Sequence, residues 1–458
     1  MKFLEALKKA KTGGRQVVIP DIKRFSPKDG ELLGSRKPAE YAAALIEAGA
    51  PVLSVVTEEK EFHGSLQMLK DIAKAAKPHG IPILRKDFIN TKEDLIETRE
   101  CGAAAILLMC SCLEPDKLRY LYREALELGL DPFVETHTEE DFALVRELGA
   151  ELVGINNRDI LKLERDDGDV GHTLSLIKQM PAGAFSVTES SIRDPEEVRM
   201  ALRSGADAAL VGTAIALAPD PGVFYRMLTT PTGLKICGLM NRQDIEMCVS
   251  AGVERIGLVT EYPLYVPWNL TEEKALELRR CIPKGFRAVM VTGGAPEKII
   301  GLAERIRPDM VQLHYNETLE ETAYIAAELK KLGIGAIKTV PVGGEACMQQ
   351  FGTEDIGQIV KELCRTDTAE LLVDPRHGSN VVRKDLQADE ELFRYIKQIS
   401  SKPVILAGGI GPDNISDILE RTGAESVDIM NGSENAPGRK DPGKISKITA
   451  AIEMRNKR

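Results

Sequence analysis

Residues 100–110 read ECGAAAILLMC, and this stretch shows which fold the chain can adopt. A charge-rich helical segment leads into it, Gly102 interrupts the pattern, and a short apolar run completes it. Glycine accepts the left-handed conformation that commonly ends a helix, and a short apolar run is typical of a strand buried on both faces. The stretch therefore predicts a helix that ends beside Gly102 and leads directly into a buried parallel strand.

The same helix–glycine–strand pattern recurs along the whole chain. It is found in EAGAPVLSVVT (47–57), ELGAELVGINN (147–157), RSGADAALVGT (203–213), SAGVERIGLVT (250–260) and RTGAESVDIMNG (421–432). Helices that alternate with buried strands indicate an α/β protein with a parallel sheet.

Counting the apolar runs gives two equal sets of strands. The first half has candidate strands at 17–24, 51–57, 82–88, 104–110, 132–137, 151–158, 184–190 and 208–213. The second half has them at 233–238, 255–261, 287–294, 310–314, 335–340, 370–377, 403–409 and 426–434. Eight strand–helix units in about 220 residues are typical of a (β/α)8 barrel, whereas an open doubly wound sheet usually has fewer strands and a GxGxxG fingerprint.

The predicted fold is therefore α/β, with two tandem (β/α)8 TIM barrels. Pro and Gly in LTTPTG (228–233) lie between the last helix of one set and the first strand of the next. We place the domains at residues 1–229 and 230–458.

Composition limits the possible partners of the protein. A net charge of −10 disfavours nucleic acid binding, so an anionic ligand would need a local site. No apolar run approaches the roughly 20 residues of a membrane-spanning helix. The first residues, MKFLEALKKAKTGG, read as a short amphipathic helix and not as a secretory signal. We expect a cytosolic protein without membrane association, and a monomer is the working hypothesis.

The eight cysteines are scattered and form no CxxC pair. This spacing favours reduced thiols and gives no indication of a metal site.

Polar residues follow the predicted strands of the first half at their carboxyl ends, where a (β/α)8 barrel builds its active site. They are Asp21, Lys23, Ser26, Lys86, Asp87, Glu135, His137, Asn156, Arg158, Glu189 and Ser190. Lysines and carboxylates at one barrel mouth shift each other's pKa values, which suits acid–base catalysis. A salt bridge at the barrel rim would explain any one of these charges, but it explains the whole cluster less well because buried, uncompensated charges are costly.

PILRKDF (82–88) contains three adjacent charged residues. Successive side chains of a strand point to opposite faces, so these three residues cannot all face the same side. Lys86 is predicted to face the barrel mouth and take part in chemistry. Arg85 and Asp87 are predicted to face the other side and tie the barrel to its helices.

Small residues precede helices in TESSI (188–192) and LVGTAI (210–215), after the seventh and eighth strands. The loops after these two strands form the usual phosphate site of such barrels, where backbone N–H groups and a helix N-terminus face the anion. In the second half, LAGG (406–409) and NGSE (431–434) offer a similar glycine-rich site. Both halves therefore predict phosphorylated ligands.

The strand ends of the second half carry a different chemical set. It comprises Cys237, Gln312, His314, Asp374 and Asp428. A thiol and a carboxylate that face each other across a barrel mouth can act as a base and acid pair if the thiol is activated by its surroundings. A cysteine that simply packs at the rim is the alternative.

These motifs resemble two enzyme families. IKRFSP, SVVTEEKEFHGS, LRKDF, VETH, GINNRD and TESSI, in this order, resemble indole-3-glycerol-phosphate synthase over residues 15–225. KICG, QLH, LLVD, LAGG, VDIMNGSE and PGRKD resemble phosphoribosylanthranilate isomerase over residues 233–455. This is the domain order of the fused tryptophan-pathway enzymes.

The synthase resemblance implies roles for individual residues. Lys86 would be the general acid that activates the substrate carbonyl, Lys23 would meet the substrate carboxylate and assist dehydration, and Glu135 would transfer protons. Asp21 stands where the family usually has Glu. The other implied substrate contacts are Asn156, Arg158, Glu189 and Ser190, with Ser26, Gly212 and Thr213 at the phosphate and Phe62 and Phe88 at the anthranilate ring. No cofactor is implied.

The isomerase resemblance makes Cys237 the general base and Asp374 the general acid of an Amadori rearrangement. Substrate contacts are implied for Gln312, His314, Gly409, Asp428, Gly432 and Ser433. The substrates implied for both halves are phosphorylated anthranilate–sugar compounds.

The sequence also departs from both family patterns. Ser191 replaces the usual Gly after Ser190, and the N-terminal extension is short. In the isomerase family, an Arg after the second strand meets the anthranilate carboxylate. Leu264 stands at that place in this sequence, and Arg376 is the candidate to replace the missing Arg. Two alternatives therefore stay open: a C-terminal barrel that is only structural, and a related phosphosugar enzyme outside tryptophan synthesis.

Overall fold

The computed structural model describes residues 2–13, 15–158, 171–375 and 387–455. The chain divides into two compact units between Pro231 and Thr232. Each unit contains one closed barrel of eight parallel strands. The predicted fold class is confirmed, and each of the sixteen predicted strands overlaps an observed one.

The N-terminal barrel consists of strands in sequential order that close between the first and the last. They are Val18–Ile22 (β1), Leu53–Val56 (β2), Ile83–Lys86 (β3), Ala105–Met109 (β4), Asp131–Thr136 (β5), Leu152–Asn156 (β6), Phe185–Glu189 (β7) and Ala208–Val211 (β8). Its helices are Phe3–Thr12 (α1), Pro38–Glu47 (α2), Leu66–Ala76 (α3), Lys92–Glu100 (α4), Pro115–Glu127 (α5), Asp141–Leu148 (α6), Gly171–Leu176 (α7), Pro195–Arg203 (α8), Thr213–Leu217 (α9) and Pro221–Leu228 (α10).

The C-terminal barrel repeats this arrangement. Its strands are Gly233–Ile236 (β9), Arg255–Val259 (β10), Arg287–Thr292 (β11), Met310–Leu313 (β12), Gly335–Val340 (β13), Glu370–Val373 (β14), Val404–Ala407 (β15) and Ser426–Ile429 (β16). Its helices are Arg242–Ser250 (α11), Glu272–Arg279 (α12), Pro296–Ile306 (α13), Leu319–Lys331 (α14), Gly344–Phe351 (α15), Ile356–Arg365 (α16), Glu390–Ile399 (α17), Ile415–Thr422 (α18) and Pro442–Arg455 (α19).

The helix ends follow the signals in the sequence. Gly149 after α6 and Gly423 after α18 have φ angles of 60° and 63°, the left-handed conformation that glycine adopts without a steric penalty. Helix starts use side-chain caps: Asp194 accepts the N–H groups of residues 196 and 197 at the start of α8. These signals turn the chain back toward each next strand.

The first helix belongs to the core of the N-terminal barrel. Phe3 and Leu7 on α1 are fully buried and pack with barrel residues such as Ile19 and Val187. Each such side chain stabilises the fold by about 1.5–3 kcal/mol. The backbone N–H of Leu4 also donates to the carboxylate of Asp131 at 3.0 Å, which fixes the helix against the start of β5.

Candidate active sites

Lys86 lies at the carboxyl end of β3, and its ammonium is enclosed by carboxylates. Its Nζ is 2.5 Å from Oε2 of Glu189 at the end of β7 and 3.8 Å from Oε2 of Glu135 on β5. Both glutamates are buried, whereas about 15% of the Lys86 side chain is exposed. The structure thus brings together three of the residues that the sequence assigned to one acid–base cluster.

Burial and charge set the protonation of this cluster. Burial alone would lower the pKa of Lys86, but the carboxylates of Glu189, Glu135 and Asp21 outweigh it and raise that pKa, so the ammonium stays charged. Burial raises the pKa of Glu189 to about 8, and the nearby Lys86 opposes this change only in part. The cluster therefore contains a firmly protonated lysine beside a carboxyl group that titrates near neutral pH.

Gly154 on β6 makes room for Glu189. A Cβ at this position would lie 2.2 Å from Oε1 of Glu189 and 2.8 Å from the ring of Phe133. The space below the Glu189 carboxylate thus depends on a residue without a side chain. The sequence prediction missed Gly154, although an isolated glycine inside a predicted strand is a known sign of such a close approach.

Residues from β1 and β2 line the neighbouring part of the mouth. Asp21 is buried and accepts a hydrogen bond from the hydroxyl of Ser54 at 2.7 Å. The Nζ of Lys23 lies 6.0 Å from the ring centroid of Phe62. Both Lys23 and Phe62 are largely buried, whereas 38% of Phe88 is exposed. Phe62 therefore belongs to the wall of the site, and Phe88 lies near solvent.

Asn156 and Arg158 are connected to the loop after β7. The side-chain oxygen of Asn156 accepts the backbone N–H of Arg158 at 3.0 Å, and Nε of Arg158 donates to the hydroxyl of Ser191 at 2.9 Å. Ser190 and Ser191 have φ angles of 67° and 60°, which costs an L-residue about 1–2 kcal/mol each. The left-handed backbone explains why a glycine would suit position 191.

The three residues predicted to hold phosphate in this barrel have different environments. Ser26 is fully buried, and its hydroxyl accepts the N–H groups of residues 28 and 29 at 3.3 Å. Gly212 packs closely on Asp21, since a Cβ would lie 3.0 Å from the Asp21 carbonyl oxygen. Thr213 begins α9, a helix of five residues.

The neighbours of Lys86 have the structural role that the sequence predicts. Arg85 is buried and donates to the α4 carboxylate of Glu97 at 3.2 Å and to Asp87 at 3.0 Å. Asp87 in turn accepts a hydrogen bond from Thr57 at 2.6 Å. Arg85 therefore ties β3 to α4, as predicted, whereas Asp87 links Arg85 to Thr57 after β2 and not to a helix.

In the second barrel, a cavity of about 410 Å³ contains the predicted acid and base together. Cys237 after β9 and Asp374 after β14 both line it, and both are nearly inaccessible from outside. Burial raises the pKa of the Cys237 thiol, and the ammonium of Lys235 acts in the opposite direction. A buried thiol and a buried carboxylate that line one cavity suit the transfer of a proton onto and off a bound molecule.

His314 connects Asp374 to β12 and β13. Its Nδ1 lies 3.1 Å from the amide nitrogen of Gln312 and 2.8 Å from the hydroxyl of Thr339. Its Nε2 lies 3.7 Å from Oδ2 of Asp374. Because Nδ1 accepts from the Gln312 amide, the proton of a neutral His314 is assigned to Nε2, which faces the carboxylate.

Glycine-rich turns form one side of this cavity. Gly408, Gly409 and Gly432 line it, and the first two have positive φ angles. A Cβ on Gly432 would lie 1.9 Å from the carbonyl oxygen of Ile410, so these two loops touch through their backbones. Ser433 is fully buried instead, with its hydroxyl donating to the Met430 carbonyl at 2.6 Å.

An aromatic residue in the cavity wall is one that the sequence prediction missed. Trp268 is 5% exposed and lines the cavity, whereas Leu264 is not among the lining residues. Lys444, near the start of α19, was also missed and lines the same cavity. Arg376 lies outside the described residues. The signal for Trp268 was its status as the single tryptophan of the chain.

The residues that the structure describes contain no cluster of three or more His, Cys, Asp or Glu side chains suited to a metal ion. None of the described helices combines the length and the apolar character needed to cross a bilayer.

Two catalytic barrels with acid–base centres at their strand ends define a two-domain enzyme, and comparison with known families agrees. The family model of indole-3-glycerol phosphate synthase matches residues 1–228, and that of N-(5'-phosphoribosyl)anthranilate (PRA) isomerase matches residues 234–451. The alternatives of a structural C-terminal barrel and of an enzyme outside tryptophan synthesis are not favoured.

Individual relatives cover one or both domains. The indole-3-glycerol phosphate synthase of Pyrococcus furiosus is 44% identical over 216 residues, which are 47% of this chain and 91% of the relative. That of Thermococcus kodakarensis is 42% identical over 49% of this chain and 95% of the relative. The tryptophan biosynthesis protein TrpCF of Yersinia pestis is 30% identical over 96% of this chain and 86% of the relative.

The chain therefore belongs to the family of bifunctional tryptophan-biosynthesis enzymes that fuse indole-3-glycerol phosphate synthase to phosphoribosylanthranilate isomerase. It carries both enzymatic steps in one polypeptide.

Proposed function

We propose that Lys86 is the general acid of the ring closure in the domain formed by residues 1–229. We further propose that Cys237 and Asp374 are the base and acid of the isomerisation in the domain formed by residues 230–458. The ammonium of Lys86 beside the buried side chains of Glu189 and Glu135 is the observation that carries the first assignment. A proton donor held in fixed position beside a developing negative charge is an efficient catalyst.

In the ring closure, the anthranilate carbon that bears the carboxylate forms a bond to the ketone carbon of the sugar chain. The carbonyl oxygen takes the proton of Lys86, and the carboxylate leaves as CO2, returning its bonding electrons to the ring. Loss of the new hydroxyl as water completes the indole. Lys23 protonates the departing hydroxyl, and Glu135 accepts the proton that is released, because these groups flank Lys86 or line the same mouth.

The remaining residues of the first site bind the substrate. Phe62 packs on the anthranilate ring beside Lys23, and Phe88 approaches it from the more exposed side. Asn156, Arg158 and Ser190 orient the sugar through the loop after β7. Further contacts are assigned to Asp21 and Glu189 near the reacting carbons and to Ser26, Gly212 and Thr213 at the phosphate.

In the isomerisation, Asp374 donates a proton to the furanose ring oxygen, and the C–O bond breaks to give an iminium. The thiolate of Cys237 removes the proton from the adjacent carbon, and the resulting enolamine becomes the ketone. His314 faces Asp374 from the side of β12, with its Nε2 3.7 Å from Oδ2 of that carboxylate. Gly409 and Gly432, which line the cavity, bind the phosphate through backbone N–H groups. Asp428 also lines the cavity, and further support for the substrate is assigned to the buried residues Gln312 and Ser433.

The proposed substrates are phosphorylated anthranilate–sugar compounds, and the proposed state is a monomer in the cytoplasm. Each site is built from residues of a single unit of one chain, which supports the monomer. The eight cysteines all lie within the described residues and form no disulfide there, which fits a reducing compartment. Size-exclusion chromatography with light scattering would contradict the monomer if the mass were twice 50.1 kDa.

Two variants assayed for both reactions test these roles. Lys86→Ala should lower indole-glycerol phosphate formation by roughly 10²–10⁴-fold, the usual worth of a general acid, and leave the isomerase rate unchanged. Cys237→Ser should have the reverse pattern. Lys92→Ala, which removes a partly exposed lysine on α4, is the matched control and should change neither rate.

Complementation adds a test in the cell. The wild-type gene should rescue strains that lack either the synthase or the isomerase. The Lys86→Ala gene should rescue only the isomerase strain, and the Cys237→Ser gene only the synthase strain. Full synthase activity of Lys86→Ala would contradict the role given to Lys86.

A further inference from the structure

Lys235 is a fully buried cation in the C-terminal barrel for which the reaction just described has no use. Its Nζ lies 2.7 Å from Oδ2 of Asp428, and its side chain has no exposed surface. Taking an ammonium out of water costs several kcal/mol, and a carboxylate partner offsets this only when the geometry and further hydrogen bonds are favourable. A hydrophobic residue would fill the same space without that cost, so the position of the charge calls for an explanation.

The geometry of β9 puts this charge directly beneath Cys237. Lys235 and Cys237 are two residues apart on an extended chain, so their side chains point to the same face. Cys237 is part of the apolar cluster inside the barrel, together with residues such as Val289 and Leu372. Both side chains therefore point inward, one layer above the other.

Neighbouring strands hold both residues in this arrangement. Lys235 and Asp428 are direct partners in the register of β9 and β16, which sets their side chains next to each other. On the other side, Gly257 of β10 lacks the Cβ that would come within 2.9 Å of the Cys237 sulfur. The ammonium is thus fixed by Asp428, and the thiol has space only because position 257 is glycine.

Charged groups reach Cys237 from three elements. Lys235 comes from β9 and Asp428 from β16, and Lys440, which is held by Glu434 at 2.8 Å, acts from the segment before α19. Lys235 acts on the thiol through both its charge and a hydrogen bond, and both lower the thiol pKa against the effect of burial. Asp374 faces the same cavity from β14. The two lysines therefore act on the sulfur in the same direction, and the negative charge of Asp428 acts against them.

We propose that Lys235 is a positioning residue for the isomerase reaction: its ammonium, fixed by Asp428, stabilises the thiolate of Cys237 and so keeps the base ready to remove a carbon-bound proton. This inference rests on the proposed role of Cys237 as the base. Lys235 does not touch the reacting atoms but acts through the sulfur.

The ionisation of Cys237 can be measured without any substrate. The thiolate absorbs in the ultraviolet, so the difference in absorbance between the protein and its Cys237→Ala variant, followed from pH 6 to pH 11, reports this one thiol. Lys235→Met should move the midpoint upward by about one unit or more, which is tenfold less thiolate at neutral pH. Lys235→Arg keeps the positive charge, so its midpoint should lie close to that of the wild type.

Asp428→Asn gives an independent test of opposite sign. It removes the negative charge and leaves Lys235 in place, so the midpoint of Cys237 should move downward. If the pair had only a structural role, the two variants would not shift the Cys237 midpoint in opposite directions. Lys338→Met is the matched control, because Lys338 and Glu317 form a second buried ion pair in the same barrel, 2.9 Å apart. It should leave the Cys237 midpoint unchanged.

A Cys237 midpoint that stays the same in Lys235→Met, or that moves in the same direction in Lys235→Met and Asp428→Asn, would overturn the proposal. The fluorescence of Trp268 in the same cavity verifies that each variant is folded. The isomerase activity of Cys237→Ser and the pH profile of isomerase kcat/KM test the role of Cys237 as the base separately from the effect of Lys235 on its ionisation. If Cys237→Ser keeps full activity while the midpoint shifts as expected, then Cys237 is not the base, yet Lys235 still controls its ionisation.

Discussion

Nζ of Lys86 and Oε2 of Glu189 lie 2.5 Å apart although 103 residues separate them in the chain. Lys86 ends β3 and Glu189 ends β7, and these strands lie on opposite sides of an eight-strand barrel. Their contact therefore crosses the barrel mouth, and it forms only when the sheet has closed. The synthase centre is a product of the closed barrel and not of any local segment.

Glu189→Gln should change how the stability of the N-terminal unit depends on pH. The folded-state pKa of Glu189 is about 8, against 4.5 for a free glutamate, so the folded protein keeps a proton that the unfolded chain has released. The free energy of unfolding must therefore fall as the pH rises from about 4.5 to about 8. Lys86 stays protonated over this range and adds no slope.

The Gln variant should lose this part of the pH dependence. Between pH 5 and pH 8, the free energy of unfolding of the wild type should fall by at least about 1.4 kcal/mol more than that of the variant, which is the value of one pKa unit. Urea-dependent proteolysis, followed by mass spectrometry of N-terminal peptides in the full chain, measures it. Equal slopes in the wild type and in Glu189→Gln would show that Glu189 is ionised in the folded protein.

Gly154→Ala should impair the synthase selectively. The added methyl group would meet Oε1 of Glu189 and the ring of Phe133, so Glu189 must move away from Lys86. We expect a stability loss of about 1–3 kcal/mol, as for other overpacked cores, and a synthase rate at least tenfold lower. Isomerase activity should not change. Gly222→Ala on α10 is the control, because its Cβ would have only ordinary contacts of 3.4 Å or more.

Substitutions at Ser191 should separate backbone strain from a hydrogen bond. Ser191→Ala and Ser191→Gly both remove the acceptor of the Arg158 Nε–H, but only glycine relieves the φ angle of 60°. The Gly variant should therefore be the more stable of the two by about 1 kcal/mol in thermal unfolding. Both should raise the synthase KM, since Arg158 loses its fixed position. Equal stability of the two variants would mean that residue 191 carries no strain.

Trp268 should report ligand binding in the isomerase site. It is the only tryptophan of the chain and lines the cavity beside Cys237, so its emission should be quenched when a phosphorylated anthranilate–sugar analogue binds. Trp268→Phe should abolish this signal. Trp268→Ala should raise the isomerase KM at least tenfold, because it removes a wall of the cavity. Leu264→Ala is the comparison, and its isomerase KM should stay within twofold of the wild type. A larger effect of Leu264→Ala than of Trp268→Ala would contradict the assignment of Trp268 to the cavity wall.

The strand-end residues of both sites were predictable from the sequence, whereas the residues that support them were not. Strand ends such as Lys86 and Cys237 were identified because a parallel barrel gathers the carboxyl ends of its strands at one mouth. Gly154, Lys235 and Trp268 were missed, since each depends on what lies opposite or beneath it in three dimensions. Leu264 and Trp268 are only four residues apart, and a loop without periodicity gives no signal to choose between them.

The pairing of Lys235 with Asp428 has a consequence for the synthesis of the protein. β9 and β16 are the first and last strands of their barrel, and these two residues are partners across that seam. During translation, Lys235 and Cys237 emerge from the ribosome almost 200 residues before Asp428. Until that last strand docks, the ammonium has no carboxylate to hold it, so recovery of the Cys237 titration during refolding would time the closure of the barrel.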